Sequence, residues 1–230
     1  MSETGSEKTG RLSYAEAVRL QRLGAEQVSR NRLEGRIRRV AGADAAFSRD
    51  GTKSLAVVTL LSYPEMELLE YAQALLPVEF PYIPGLLSFR EAPVVLAAAR
   101  KLKECPDVLL IDGQGVAHPR RFGLACHVGV ELGWPTIGCA KSRLIGECRQ
   151  PGLKKGCHSR LLDGKEVIGT VVRSREGVRC LYVSVGHRVE LRQAEQIVLR
   201  CCKGYRLPEP TRLAHQLVSK LRYSIGSLWS

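Results

Sequence analysis

Val108-Leu109-Leu110-Ile111-Asp112-Gly113-Gln114-Gly115-Val116-Ala117-His118-Pro119-Arg120-Arg121-Phe122-Gly123 begins with four branched apolar residues. The run is short and follows Pro106 closely, so it predicts a strand buried on both faces rather than a helix. It stops at an acid, Asp112. Two glycines then allow a sharp turn or a close approach to a ligand. A histidine and two arginines follow. Open α/β sheets place their chemistry at the tips of buried strands, beside such permissive loops. The plainer reading has Asp112 cap a turn and His118 sit at the surface.

Downstream, a helix is expected over about Phe122–Leu132, ended by Gly133, and a second buried strand over Pro135–Ala140. Together these make a β-α-β crossover. Upstream, Ser88-Phe89-Arg90-Glu91 matches a capping box, with a helix running on to about Lys103. Phe80-Pro81-Tyr82-Ile83-Pro84-Gly85 cannot be regular structure, because its prolines fix the backbone and remove donors. Before it, Arg39–Phe47 and Leu55–Leu61 read as a hairpin turning at Arg49–Thr52. Met66–Phe80 suits a third strand, although Leu68, Leu69 and Ala72 equally suit a helix. Near the start, Tyr14–Leu33 has the apolar spacing of an amphipathic helix. Val167–Val172 and Leu181–Val185 form a further strand pair, and helices over Leu191–Cys201 and Thr211–Leu221 follow. A meander followed by alternating helices and strands predicts an α/β domain with one mixed sheet flanked by helices. Residues 1–10 read as a disordered polar tail, and 11–225 as one domain.

The 230 residues carry a net charge of +12, which favours polyanions, nucleic acid first, over a merely solubilising basic surface. No apolar run approaches the roughly 20 residues that cross a bilayer, and Met1–Gly10 does not resemble a secretory signal. The eight cysteines include no C-x-x-C pair and no zinc-type spacing. They read as reduced thiols of a cytoplasmic protein.

Three acids are candidates for chemistry. Asp44 lies among small and apolar neighbours, where a carboxylate needs a partner, either a salt bridge or a divalent cation. Glu91 falls in the first turn of a helix, where a capping role is the competing explanation. Asp112 ends a strand. Hard oxygen ligands from separate elements suit Mg²⁺, with Mn²⁺ able to substitute. Lys141, just after the second buried strand, could hold a phosphate or stabilise charge in a transition state, or simply end the strand in solvent. His118 and His215 admit both catalytic and surface readings. Tyr82, held between Pro81 and Pro84, is a rigid aromatic suited to insertion into a base stack, or else a plug beneath a loop. Arg120 and Arg121 suit phosphate contacts.

Three long segments, residues 81–91, 112–123 and 135–142, closely resemble the endonuclease V family in wording, order and spacing. The resemblance runs from about Gly42 to His215. It implies a ribonuclease-H-like fold and Mg²⁺- or Mn²⁺-dependent nicking at the second phosphodiester bond 3′ to deoxyinosine. The lesion then stays in a strand with 3′-hydroxyl and 5′-phosphate ends. By position, the resemblance implies that Asp44, Glu91 and Asp112 bind metal, that His215 and Lys141 assist, and that His118 supports the site. Pro81, Tyr82, Ile83 and Pro84 match a strand-separating wedge. Gly85, Leu87 and Gly123 fall near a pocket for a flipped hypoxanthine. The sequence departs from the family around Asp44, in Gly-Ala-Asp-Ala-Ala-Phe, and at Cys126 and Cys139. The Pro-Tyr-Ile-Pro and His-Pro-Arg-Arg wording resembles bacterial members, which implies repair of deoxyinosine DNA rather than an RNA role; a monomer is expected. The alternatives are cleavage of inosine-containing RNA, another ribonuclease-H-like nuclease, and a lesion-binding protein that does not cut.

Overall fold

The computed structural model describes residues 12–224; the tail expected over residues 1–10 lies outside them. Eight strands form one mixed sheet in the order β3-β2-β1-β4-β5-β8-β7-β6. The meander comprises β1 (Arg39–Phe47), β2 (Lys53–Ser62) and β3 (Leu68–Pro77), paired antiparallel. The Met66–Phe80 stretch is thus a strand and not a helix. Next come α2 (Leu87–Ala99), β4 (Val108–Ile111), α3 (Leu124–Leu132) and β5 (Thr136–Ala140). β4 lies between β1 and β5 and runs parallel to both. Its four residues are fully buried because both sheet faces are covered. Val108 and Leu110 join the core that includes Ala194, Ile197 and Val198 of α4 (Leu191–Cys201). Leu109 and Ile111 join the opposite core, with apolar residues of α2 and α3.

The sheet is completed by β6 (His158–Asp163), β7 (Glu166–Val172) and β8 (Leu181–His187). β6 was not expected: as an edge strand it buries only Leu161 and carries His158, Ser159, Arg160 and Asp163. α1 spans Tyr14–Glu26, shorter than the spacing predicts. Val28 and Leu33 still pack on the core, but from a non-helical connection. α5 (Glu209–Ser224) lies over β1 and β2. Pro210 comes so close to the sheet that a Cβ on Gly42 would stand 2.1 Å from its carbonyl carbon. Only a glycine admits α5 at that distance, and Thr59 Oγ1 fixes the approach by donating to the Pro210 carbonyl at 2.9 Å. No helix among the described residues is long and apolar enough to cross a membrane.

Candidate active site

The parallel ladder of β1 and β4 ends with Ala43 opposite Ile111. The Asp112 N–H donates to the Ala43 carbonyl at 3.3 Å. Asp44 and Asp112 therefore follow each other across adjacent strands, with side chains only 12% and 13% exposed. Glu91 joins them from the start of α2. Burial, then the charge of Asp112, raises the Asp44 carboxyl above its ordinary value, against a lowering contribution from His215. Burial, then the charges of Asp44 and Asp112, pushes Glu91 up to about 7. Asp44 and Glu91 resist ionisation because burial strips their water and the neighbouring acids stand close.

The capping box expected over Ser88–Glu91 does not form. α2 begins at Leu87 behind an N-cap, Leu86, that makes no side-chain cap bond. Ser88 is buried and its Oγ has no hydrogen-bond partner. Starting the helix early frees Glu91 from the cap and turns it to the acids.

Two basic side chains meet the cluster. Lys141 Nζ contacts Asp112 Oδ2 from just beyond β5. His215 Nδ1, on α5, lies 2.7 Å from Asp44 Oδ2. Sequence reasoning missed Arg206, whose Nη2 donates to the carbonyls of Lys141 at 2.6 Å and Cys180 at 2.9 Å. Its Nε donates to the Arg179 carbonyl at 3.0 Å. This fork holds the Lys141 backbone; in sequence it looks like one more surface arginine.

Among the described residues no group of three His, Cys, Asp or Glu stands as a ready-made ligand cluster. The donor set nevertheless fits a hard divalent cation. Carboxylates from three elements converge, their mutual repulsion is visible in the raised Asp44 and Glu91, and Lys141 and His215 relieve only part of it.

A cavity of about 460 Å³ joins Glu91 and Asp112 to the proline-bracketed loop. Glu91, Asp112 and Lys141 line it together with Tyr82, Gly85, Leu87, His118 and Gly123. The loop is anchored below and bare above. Ile83 packs against the cluster of Ala17, Phe80 and Leu86, while Tyr82 is 67% exposed between the exposed Pro81 and Pro84. Gly85 adopts φ +78°, a left-handed conformation that favours glycine.

His118 is buried, not at the surface. Burial, then the Arg120 charge, pushes it down to about 4, so it is neutral at pH 7. Its Nδ1 accepts from the Arg120 backbone N–H at 3.2 Å, which places the proton on Nε2, 3.1 Å from the Gly85 carbonyl. Arg120 also turns inward. Its Nη2 donates to the Gly85 carbonyl at 2.6 Å and its Nε to Gln21 Oε1. Arg121 pairs with Glu166 at 2.8 Å and Asp163 at 2.7 Å. Both guanidinium groups thus spend donors on the protein.

The family profile of endonuclease V matches residues 21–216. An endonuclease V of Methanothrix thermoacetophila is 51% identical over 205 residues, covering 89% of this chain and 90% of that protein. The crystal structure of endonuclease V from Streptomyces avermitilis aligns with a TM-score of 0.89 at 38% identity, covering 93% of this chain and 95% of that one. Endonuclease V of Ciona intestinalis, solved in complex with a DNA containing an inosine followed by a ribo-adenosine, aligns with a TM-score of 0.81 at 30% identity, covering 92% of this chain and 98% of that one. Sequence and fold agree over nearly the whole described chain, so this protein belongs to the endonuclease V family of endonucleases, hydrolases that act on DNA.

Proposed function

We propose that this protein nicks DNA at the second phosphodiester bond 3′ to deoxyinosine, using a divalent cation, Mg²⁺ or Mn²⁺. The observation that carries this reading is the cavity joining Glu91 and Asp112, beside Asp44, to a proline-bracketed loop crowned by an exposed tyrosine. The Ciona complex supports the choice of lesion. Tyr82 enters the stack as a wedge, with Pro81, Ile83 and Pro84 holding it stiff. The displaced base enters the cavity beside Gly85, Leu87 and Gly123. An inosine pair opens more readily than a matched one, so extrusion itself favours the lesion. Neutral His118 helps fix the Gly85 carbonyl through its Nε2.

Asp44, Asp112 and Glu91 would hold the cation. Bound there, it supplies charge stabilisation at the scissile phosphate and activation of water. Lys141 moves from Asp112 to a phosphate oxygen, and His215 remains hydrogen-bonded to Asp44. Cleavage leaves a 3′-hydroxyl and a 5′-phosphate, with the lesion retained. A nicking assay with Mg²⁺ compares duplexes containing inosine with undamaged, cruciform and RNA–DNA hybrid substrates and with inosine-containing RNA. Preferential nicking of inosine DNA beyond the lesion is the expected result; equal cutting of undamaged or cruciform DNA would overturn it.

A further inference from the structure

We propose that Gln21 is a positioning residue that sets the shape of the base pocket and thereby the preference for inosine. The inference rests on reading the cavity as the lesion pocket. Gln21 lies on α1, a surface helix, yet it is 0% exposed and faces inward with Ala17 and Gly24. A polar side chain is costly there unless its groups are paired. Its Nε2 donates to the Gly85 carbonyl at 3.0 Å and to the Phe122 carbonyl at 3.1 Å. Its Oε1 accepts from Arg120 Nε. The partners belong to two segments far apart in sequence. One runs from the wedge into α2, and the other from His118 to the start of α3.

Both segments line the cavity. No backbone–backbone hydrogen bond joins them among the described residues. Side chains bridge them instead. Gln21, His118 and Arg120 all converge on the Gly85 carbonyl. His118 and Arg120 belong to the second segment; Gln21 ties it to Gly85 from outside both, through the Phe122 carbonyl and Arg120. A primary amide provides two donors and an acceptor in one plane, matching these partners. Neither a carboxylate nor a thioether can donate to the two carbonyls, and a thioether sulfur is only a weak acceptor for Arg120.

Gln21→Glu and Gln21→Met test the role. Inosine and undamaged duplexes are compared by equilibrium affinity and by nicking kcat/KM, with melting temperature as the control for folding. Taking the Gln21 donor from the buried Phe122 carbonyl, and one of three donors from the Gly85 carbonyl, costs on the order of a tenfold loss in inosine preference. We expect that loss with undamaged-duplex affinity unchanged. A purely structural role moves all substrates alike, so a uniform loss, or full preference in a folded variant, overturns the inference. If both variants fail to fold, Arg120→Lys decides, because it breaks the same bridge from a half-buried position. Reduced preference then supports the inference and wild-type preference overturns it. A wild-type protein that does not prefer inosine refutes the proposed function itself, a result distinct from variants that retain the preference.

Discussion

Asp44 and Asp112 stand one residue past the Ala43–Ile111 pair on adjacent parallel strands, close enough that the Asp112 charge helps burial raise the Asp44 carboxyl. Without a cation the site is balanced by Lys141 on Asp112 and by His215 on Asp44. Removing one acid should therefore affect catalysis and stability in opposite directions. Asp112→Ala is expected to lower cleavage of inosine DNA by about a thousandfold, the equivalent of several kcal/mol of lost charge stabilisation. DNA affinity should change little, because no phosphate contact is lost. In chelator the variant should melt at or above the wild-type temperature. Nicking rates, gel-shift affinities and thermal melts check the three parts; normal nicking removes Asp112 from the site.

Glu91 gives the site a pH signature. Its folded-state value, about 7, exceeds the ordinary 4.5. Its contribution to stability is therefore complete below about pH 4.5 and is lost as pH rises through about 7. His118 acts in the other sense: its contribution is complete above about 6.5 and is lost as pH falls through about 4. Comparison with Glu91→Gln isolates the acid. In chelator, the wild type should lose stability relative to the variant between pH 4.5 and 8. Mg²⁺ should raise the wild-type melting temperature more at pH 8 than at pH 5. Parallel pH curves for the two proteins contradict the assignment.

Tyr82→Ala tests the wedge. The side chain is largely exposed and contributes little to the core. Melting temperature should stay within a few degrees, while selectivity for inosine DNA falls by about tenfold or more, as expected for loss of a stacking contact of about 1–3 kcal/mol. Affinity for undamaged duplex should fall less. Competition binding measures both, and an unchanged preference excludes the wedge role.

Arg206→Met removes the fork that holds the Lys141 carbonyl. Lys141 keeps its charge but loses its fixed approach to Asp112. Cleavage at saturating DNA should slow by about tenfold or more, within the cost of a misplaced catalytic group. DNA affinity should be nearly unchanged. Single-turnover kinetics beside binding curves separate the two effects; a loss confined to affinity would make Arg206 a phosphate contact instead.

The readable parts of the fold are those where composition leaves one answer. Val108–Ile111 could only be a buried strand, and Asp44 stood out because Ala43 and Ala45 give a carboxylate no local partner. The half-exposed β6 lacks both apolar run and alternation, so its six residues resembled a loop. The apolar spacing of Val28 and Leu33 continues past the end of α1 because a non-helical segment can also face the core. Ser88 and Glu91 have the spacing of a capping box, but the helix starts one residue before Ser88 and the serine is buried. Gln21 and Arg206 could not be singled out, since a polar residue on an amphipathic helix or in a basic loop ordinarily faces water. Their roles come from partners about 60 to 100 residues away.

The most direct test is crystallographic: inosine-free protein soaked in Mn²⁺, with the anomalous signal measured at the site. We predict a peak between the Asp44 and Asp112 carboxylates, with Lys141 displaced from Asp112. A Mn²⁺-saturated crystal with no peak there, and with Lys141 still on Asp112, contradicts the claim that these acids share a divalent ion.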